Sequence, residues 1–318
     1  MLTAPTPSAV DFYSRQALNR QRTRLLVAGF LVFFFALGFG LDTLWGGFLS
    51  PRGEALPFVT LVALGLAVAT SLGAYFNGAR LVMASLCAQP LDLNNPEHRQ
   101  LHNVVTEMAL AAGLPQPSVY VIPDPAPNAL ATGRDPRHAV LAVTQGLLNL
   151  LDREETQGVI AHEMAHIGNR DTLTMTLVAI LLGGVVMLAD WARRALFFSS
   201  DRRRGNLVLF LVVVVLVAVT PLLSRLMAMA VSRQREYLAD ATAAQLTRNP
   251  LGLAKALEKI GAATSPLRAA TRGTAHLFIS NPLRRRVDER QGQLADLLST
   301  HPPLAQRVAI LRAMVHSG

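Results

Sequence analysis

Four stretches without a charged side chain divide the chain: Leu25–Leu41, Leu56–Ala79, Thr172–Ala189 and Gly205–Ser224. Each approaches or exceeds the roughly 20 apolar residues that cross a bilayer. They come as two closely spaced pairs, which reads as two transmembrane hairpins rather than four buried core helices. The first run can extend to Leu49 through Asp42. Its apolar core is too long for a signal peptide and no small-residue cleavage site follows it, so it is expected to remain as a membrane segment. The expected division is an N-terminal flank (1–24), a first hairpin (25–79), a polar block (80–171), a second hairpin (172–224) and a second polar block (225–318).

Charge sets the expected orientation. Arg15, Arg20, Arg22 and Arg24 precede the first run, whereas its connector carries Asp42, Arg52 and Glu54. The excess of arginine places the flank in the cytoplasm. Two crossings then return the chain to the same side, so both polar blocks face the cytoplasm. The connector of the second hairpin opposes this scheme with Arg193, Arg194, Arg202, Arg203 and Arg204. A fully crossing hairpin and a tilted or shallow one both remain open at this point.

The polar blocks read as a small α+β unit in two pieces. Asn95-Pro96 precedes a helical pattern over His98–Ala112, closed by Gly113. Short strands are expected at Ser118–Ile122, Asn128–Thr132 and His138–Thr144. Asp152 with Glu155 three residues on is a capping box that opens a helix. In the second block Asn249-Pro250 opens another helix, and Thr300–Val315 reads as a last one.

Composition agrees with a membrane protein. Apolar residues make up 51% and charged residues 16%, against about 25% charge in soluble domains, and the mean hydropathy is +0.33. The single cysteine, Cys87, excludes a disulfide scaffold. The net charge of +9 comes with only 6% aromatics, which do not alternate with the basic residues. A membrane surface explains it better than nucleic acid, and no nucleic-acid partner is expected.

The helix opened by Asp152 carries His162-Glu163-Met164-Ala165-His166, an H-E-x-x-H pattern. Residues i and i+4 share a helix face, so both imidazoles can grip one ion. Zinc suits two imidazoles and a carboxylate with an open fourth position. Glu163 would then take the proton of the water that attacks a carbonyl. The alternative is a helix with two surface histidines. A third ligand is expected on the same side of the membrane, and Glu236 in Ser232-Arg233-Gln234-Arg235-Glu236-Tyr237-Leu238-Ala239-Asp240 is the best placed. His166 stands six residues before the third apolar run and Glu236 twelve after the fourth, about 9 and 18 Å above the apolar zone on helices. Asp240, one turn beyond Glu236, can orient a ligand imidazole. The competing reading of Glu236 and Asp240 is a solvated acidic face paired with Arg233 and Arg235.

Together, HEMAH, SRQREYLAD, PNALATG, AHLFISNP and STHPPLAQRVAIL resemble the HtpX-type membrane zinc metalloproteases, relatives of the CAAX-prenyl endopeptidases. The resemblance covers essentially the whole chain. It implies an α-helical integral membrane protein of about four transmembrane helices with a small gluzincin-type α+β catalytic domain facing the cytoplasm. The implied site is His162, His166 and Glu236 on one zinc ion per chain, Glu163 as base and Asp240 in support of a ligand. It further implies that Asn128 contacts the substrate, that His301 stabilises the oxyanion, and that Arg307 lies nearby. The implied partners are polypeptides, chiefly damaged membrane proteins, and the lipid bilayer of the inner or plasma membrane. From the residues alone, Asn128 reads equally as an edge-strand amide or a turn residue among prolines, and His301 as a helix-start histidine.

Two other functions stand beside quality-control proteolysis. One is processing of specific, for example prenylated, peptides. The other is a non-enzymatic scaffold or transporter. A transporter calls for ionisable residues and broken helices within the membrane, and the apolar runs offer only Gly183-Gly184 and Pro221 as breaks. The two glycines can also let helices pack closely.

Overall fold

The structure is a computed structural model and describes residues 9–44, 57–185, 194, 233–263, 265–271, 274–282 and 302–315. The fourth apolar run, Arg193, Arg202, Arg203, Arg204 and His301 lie outside the described residues.

The first two apolar runs lie in long helices, α1 (Ala9–Leu44) and α2 (Phe58–Ser85). Both are long and apolar enough to cross a membrane, over Asn19–Thr43 and Phe58–Ser85. At 1.5 Å per residue the 36 residues of α1 measure about 54 Å, well beyond roughly 30 Å of hydrocarbon. Its N-terminal turns therefore have length to spare for contacts outside the apolar zone. Val32, Phe35, Leu61, Leu66 and Phe76 are exposed along the pair, as lipid-facing side chains are. One charge is buried here. Asp42 accepts hydrogen bonds from Val59 N (3.1 Å), Thr60 N (2.8 Å) and Thr60 Oγ1 (2.6 Å). It caps the first turn of α2, where unpaired N–H groups and the helix dipole favour a carboxylate. Asp42 thus belongs to the helix pair itself rather than to its connector.

After α2 come β1 (Gln89–Pro90), α3 (Pro96–Ala112), β2 (Ser118–Ile122), β3 (Ala129–Gly133), β4 (Ala139–Thr144), α4 (Gln145–Leu150), α5 (Arg153–Gly168) and α6 (Asp171–Leu177). The second polar block adds α7 (Arg233–Thr247), α8 (Pro250–Ala262) and α9 (Leu304–Met314). Helix α3 starts two residues earlier than the pattern suggested. Asn95 caps it by accepting from Glu97 N, and Pro96 sits at the first turn, where its missing N–H costs nothing. Helix α9 begins at Leu304, after Pro302-Pro303, because a residue before proline avoids helical backbone angles.

The strands form one sheet in the order β1-β2-β4-β3. β2 runs parallel to β4 with Ser118 opposite Val140, and β3 runs antiparallel to β4 with Ala129 opposite Val143. Both faces are covered, so β3 is buried along its whole length. On one face Ala129, Ala131, Leu141 and Val143 share a core with α3, α5, α7, α8 and α9, which draws on both polar blocks. On the other, Leu130, Ala142 and Ile122 meet Val82, Met83 and Leu86 at the end of α2 and Met175 and Ala179 of the third apolar run. The sheet therefore rests directly on the apolar helices. Helices α5 and α8 cross at Gly158, where a Cβ would come within 2.6 Å of Leu253 N.

The described part of the third run, α6 and a π-helical turn at Val178–Leu182, packs on α1 and α2 through Leu177, Val178, Leu181 and Val185. Among the described residues nothing lies within 4 Å of where a Gly184 Cβ would stand. A close contact of this run lies at Gly78 of α2, where a Cβ would stand 2.6 Å from Thr176 Cγ2.

Candidate metal centre

The capping box forms: Asp152 accepts from Glu155 N (2.9 Å) and Glu155 accepts from Asp152 N (3.0 Å). It starts α5 so that His162 and Glu163 fall in its second half and His166 in its last turn, all buried, 0%, 2% and 5% exposed. These are not surface histidines. Helix α7 packs alongside α5 and presents Glu236 and Asp240, 2% and 1% exposed. The acidic pair is buried as well, not solvated.

One nitrogen from each imidazole and one Glu236 oxygen lie within 4.8 Å of one another. The two Nε2 atoms are 3.2 Å apart. Glu236 Oε2 is 3.8 Å from His162 Nε2, and Oε1 is 3.6 Å from His166 Nε2. Ligands about 2.0–2.2 Å from a tetrahedral zinc ion stand roughly 3.3–3.5 Å apart, so spacing and donor chemistry both fit that ion.

Each imidazole is turned by its own carboxylate. Asp240 Oδ1 is 2.9 Å from His162 Nδ1, and Asp171 Oδ2 is 3.2 Å from His166 Nδ1. With Nδ1 turned to its carboxylate, each Nε2 points at the shared space. Burial lowers the pKa of His162 to about 4 despite the pull of Asp240, so this ring is neutral. Burial acts the same way on His166, but the hydrogen bond to Asp171 and the charges of Glu236 and Asp171 override it and raise its pKa to about 9.

Burial pushes the Glu163 carboxyl up to about 7, opposed by His166 and Arg307, aided by Glu236 and moderated by a hydrogen bond from the Ala131 amide of β3. A proton acceptor near the working pH is the state that general-base chemistry favours.

Arg307 is fully buried at the centre of this network. Its Nε and Nη2 donate to the two oxygens of Asp240 at 2.8 and 2.7 Å, and its Nη1 donates to Ile279 O at 3.1 Å. Nη1 also lies 3.4 Å from Glu236 Oε2. Burial alone would raise the Asp240 carboxyl. The charge and hydrogen bonds of Arg307, with the hydrogen bond from His162, hold it below the usual carboxylate range.

Asn128 is engaged within the chain. Its Nδ2 donates to Ser280 O (2.9 Å), and its Oδ1 accepts from Ala129 N (3.1 Å) and Ser280 N (3.3 Å). Beside it Ile279 N donates to Ala129 O (3.0 Å), and Leu130 bridges Phe278. β3 is an edge strand, as its sequence suggested, but at Asn128–Leu130 residues 278–280 already take the hydrogen bonds that an added peptide would use. Asn128 thus fastens that segment to the sheet.

Two participants escape a motif search. Asp171 stands at the head of an apolar run, an unusual place for an unpartnered acid, which is the signal that could have drawn attention to it. Asn19 contacts Asp171 across 152 residues of sequence and leaves no local sign.

The model of peptidase family M48 matches residues 95–315. Relatives described as "Protease HtpX homolog" extend the similarity over nearly the whole chain. That of Thermoanaerobacter pseudethanolicus is 41% identical over 316 residues, covering 96% of this chain and 99% of the relative. That of Syntrophobacter fumaroxidans is 44% identical over 303 residues (93% and 99%), and that of Pyrococcus abyssi 42% over 295 (92% and 94%). Among solved structures, the crystal structure of S. mikatae Ste24p aligns with 17% identity and a TM-score of 0.49, covering 95% of this chain and 67% of that one.

Proposed function

The chain belongs to peptidase family M48, a membrane-embedded metalloprotease, and from that membership we propose that it binds one zinc ion per chain through His162, His166 and Glu236 and cleaves misfolded or damaged membrane proteins. The observation that carries this reading is the convergence of two imidazoles and a carboxylate, each imidazole backed by its own carboxylate. Zinc, when bound, polarises the scissile carbonyl and makes water acidic enough to attack near neutral pH. Glu163 takes the water proton on its carboxylate and passes it to the leaving amine. Asp240 and Arg307 keep His162 in its orientation, and β3 and α5 hold Glu163 in a water-poor setting.

In this reading four crossings place the N-terminal flank and both polar blocks on the cytoplasmic side. The arginines at 15, 20, 22 and 24 support that side. A catalytic unit whose sheet rests on the membrane helices suits substrates emerging from the bilayer. His301, in the stretch before α9, is the oxyanion donor of the proposal.

Detergent-solubilised full-length protein is expected to degrade an unfolded membrane protein and to leave a prenylated peptide intact. A chelator should abolish this and added zinc restore it. Preference for the prenylated peptide would replace quality control with specific processing. Glu236→Ala is expected to lose stoichiometric zinc, and wild-type affinity in that variant would move the third ligand elsewhere.

The raised pKa of His166 gives zinc binding a pH dependence. Metal-free His166 is protonated below about pH 9, and zinc must displace that proton. His162 is already neutral above about pH 4 and adds none. Apparent affinity should rise about tenfold per pH unit from 6.5 towards 9 and then level off. Competition titrations against a chelator of known protonation would read this, and a flat profile would contradict it.

A further inference from the structure

The carboxylate behind His166 is itself held by a residue of α1. Asp171 is 1% exposed and Asn19 of α1 is 5% exposed. Asn19 Nδ2 donates to Asp171 Oδ1 at 2.6 Å and lies 3.3 Å from Asn169 O, a carbonyl at the C-terminus of α5. The other Asp171 oxygen, Oδ2, faces His166 Nδ1 at 3.2 Å. Arg235 of α7 reaches Asp171 Oδ1 only at 3.5 Å. Between Asn169 and Asp171 the backbone turns through Arg170 at φ 57°, a left-handed angle that a side chain disfavours. One amide from α1 thus fastens both sides of the corner that joins the histidine helix to α6. A turn further along α1, Thr23 Oγ1 meets Thr174 Oγ1 at 2.8 Å, a second polar contact of the same interface that does not touch Asp171.

We propose that Asn19 and Asp171 are positioning residues for the metal site. The seating of the first membrane helix against α6 sets the direction of the Asp171 carboxylate, and that carboxylate sets the ring of His166. The inference rests on the reading of His166 as a ligand. It extends that reading by making α1 part of the site: a loosened α1 would weaken the grip on zinc while leaving all ligands and the base in the chain. The separation of 152 residues means that only the assembled fold brings these groups together.

The test is zinc release from detergent-solubilised full-length protein into a chromophoric chelator, paired with the visible spectrum of the cobalt-substituted protein. Asp171→Ala should speed release by about 10–100-fold, the usual consequence of losing the group behind a histidine ligand. Asn19→Ala, one step further out, should speed it by about tenfold, and both should shift the cobalt bands. Asn19→Leu separates positioning from packing. It keeps the shape of asparagine but donates no hydrogen bond to Asp171, so it should release zinc as fast as Asn19→Ala. If Asn19 merely fills space, the isosteric variant would be the milder one, and the proposal fails. Thr23→Val, which cuts the neighbouring contact, should leave release rate and spectrum at wild-type values. An equal effect from Thr23→Val would mean general loosening of the interface, and the proposal fails likewise. His166→Ala in the same assay distinguishes the two levels: full zinc retention there overturns the ligand reading, whereas zinc loss there with unchanged Asn19 variants overturns only the positioning.

Discussion

Glu163→Gln is expected to keep its zinc and lose proteolysis. The amide has nearly the shape of the carboxylate, so the buried space between β3 and α5 stays filled, and the Ala131 amide that bonds the carboxylate can donate to the new carbonyl instead. Neither histidine nor Glu236 is touched. What disappears is the proton acceptor, which burial has tuned to about 7. Loss of such a group costs about 100- to 10,000-fold in rate. Metal analysis of the purified variant, beside turnover of an unfolded membrane protein, checks both halves. Substantial turnover in a zinc-replete preparation would remove Glu163 from the base role. A variant that arrived without zinc would make its inactivity uninformative about the base, and adding back metal before the assay resolves that case.

Arg307→Met should destabilise the folded protein by about 3–5 kcal/mol, the usual cost of leaving a buried charge without its partner. The guanidinium is 0% exposed and binds both oxygens of Asp240 in parallel, a geometry specific to arginine. It also lies beside Glu236. Without it, two carboxylates remain buried close to the metal site with one fewer positive charge. Arg307→Lys should recover only part of the loss, because an ammonium is a point charge that cannot make the parallel pair. Chemical unfolding of the zinc-loaded protein in detergent measures this. The sharper check is Arg307→Met combined with Asp240→Asn, which removes the stranded charge together with its partner. The pair should be less destabilised than the sum of the single changes. Additive losses, or a single-variant effect below about 1 kcal/mol, would show that Arg307 is held in place by its surroundings rather than holding them.

The linear pattern of the chain contained the helices of the polar blocks and the residues that the fold gathers into the His162, His166 and Glu236 cluster. Asp152 and Glu155 announced the start of α5, and the four-residue spacing of His162 and His166 put both rings on one face because an α-helix repeats every 3.6 residues. Glu236 and Asp240, again four apart, were legible for the same reason. The apolar runs of α1 and α2 were legible because crossing a bilayer demands a length that few other structures need. All of these are local properties, in which neighbours in sequence are neighbours in space.

Tertiary structure decided which groups stand behind the ligands and how they are charged. Nothing local announces that Asn128 fastens Ser280; only the path of residues 278–280 along β3 brings the two together. Arg307 read as a neighbour of the site, yet its burial between α7 and Ile279 makes it the counter-charge of the whole network. Burial lowers the pKa of both histidines, one turn apart; the Arg307 charge keeps His162 low against Asp240, whereas Asp171 and Glu236, from different elements, raise His166. Asn19 joins the site from a membrane helix far away in sequence. Helical periodicity could therefore nominate the ligands, because it is written in adjacent residues. Their orientation, protonation and support depend on Coulomb and hydrogen-bond partners that distant segments deliver only when the chain has closed on itself.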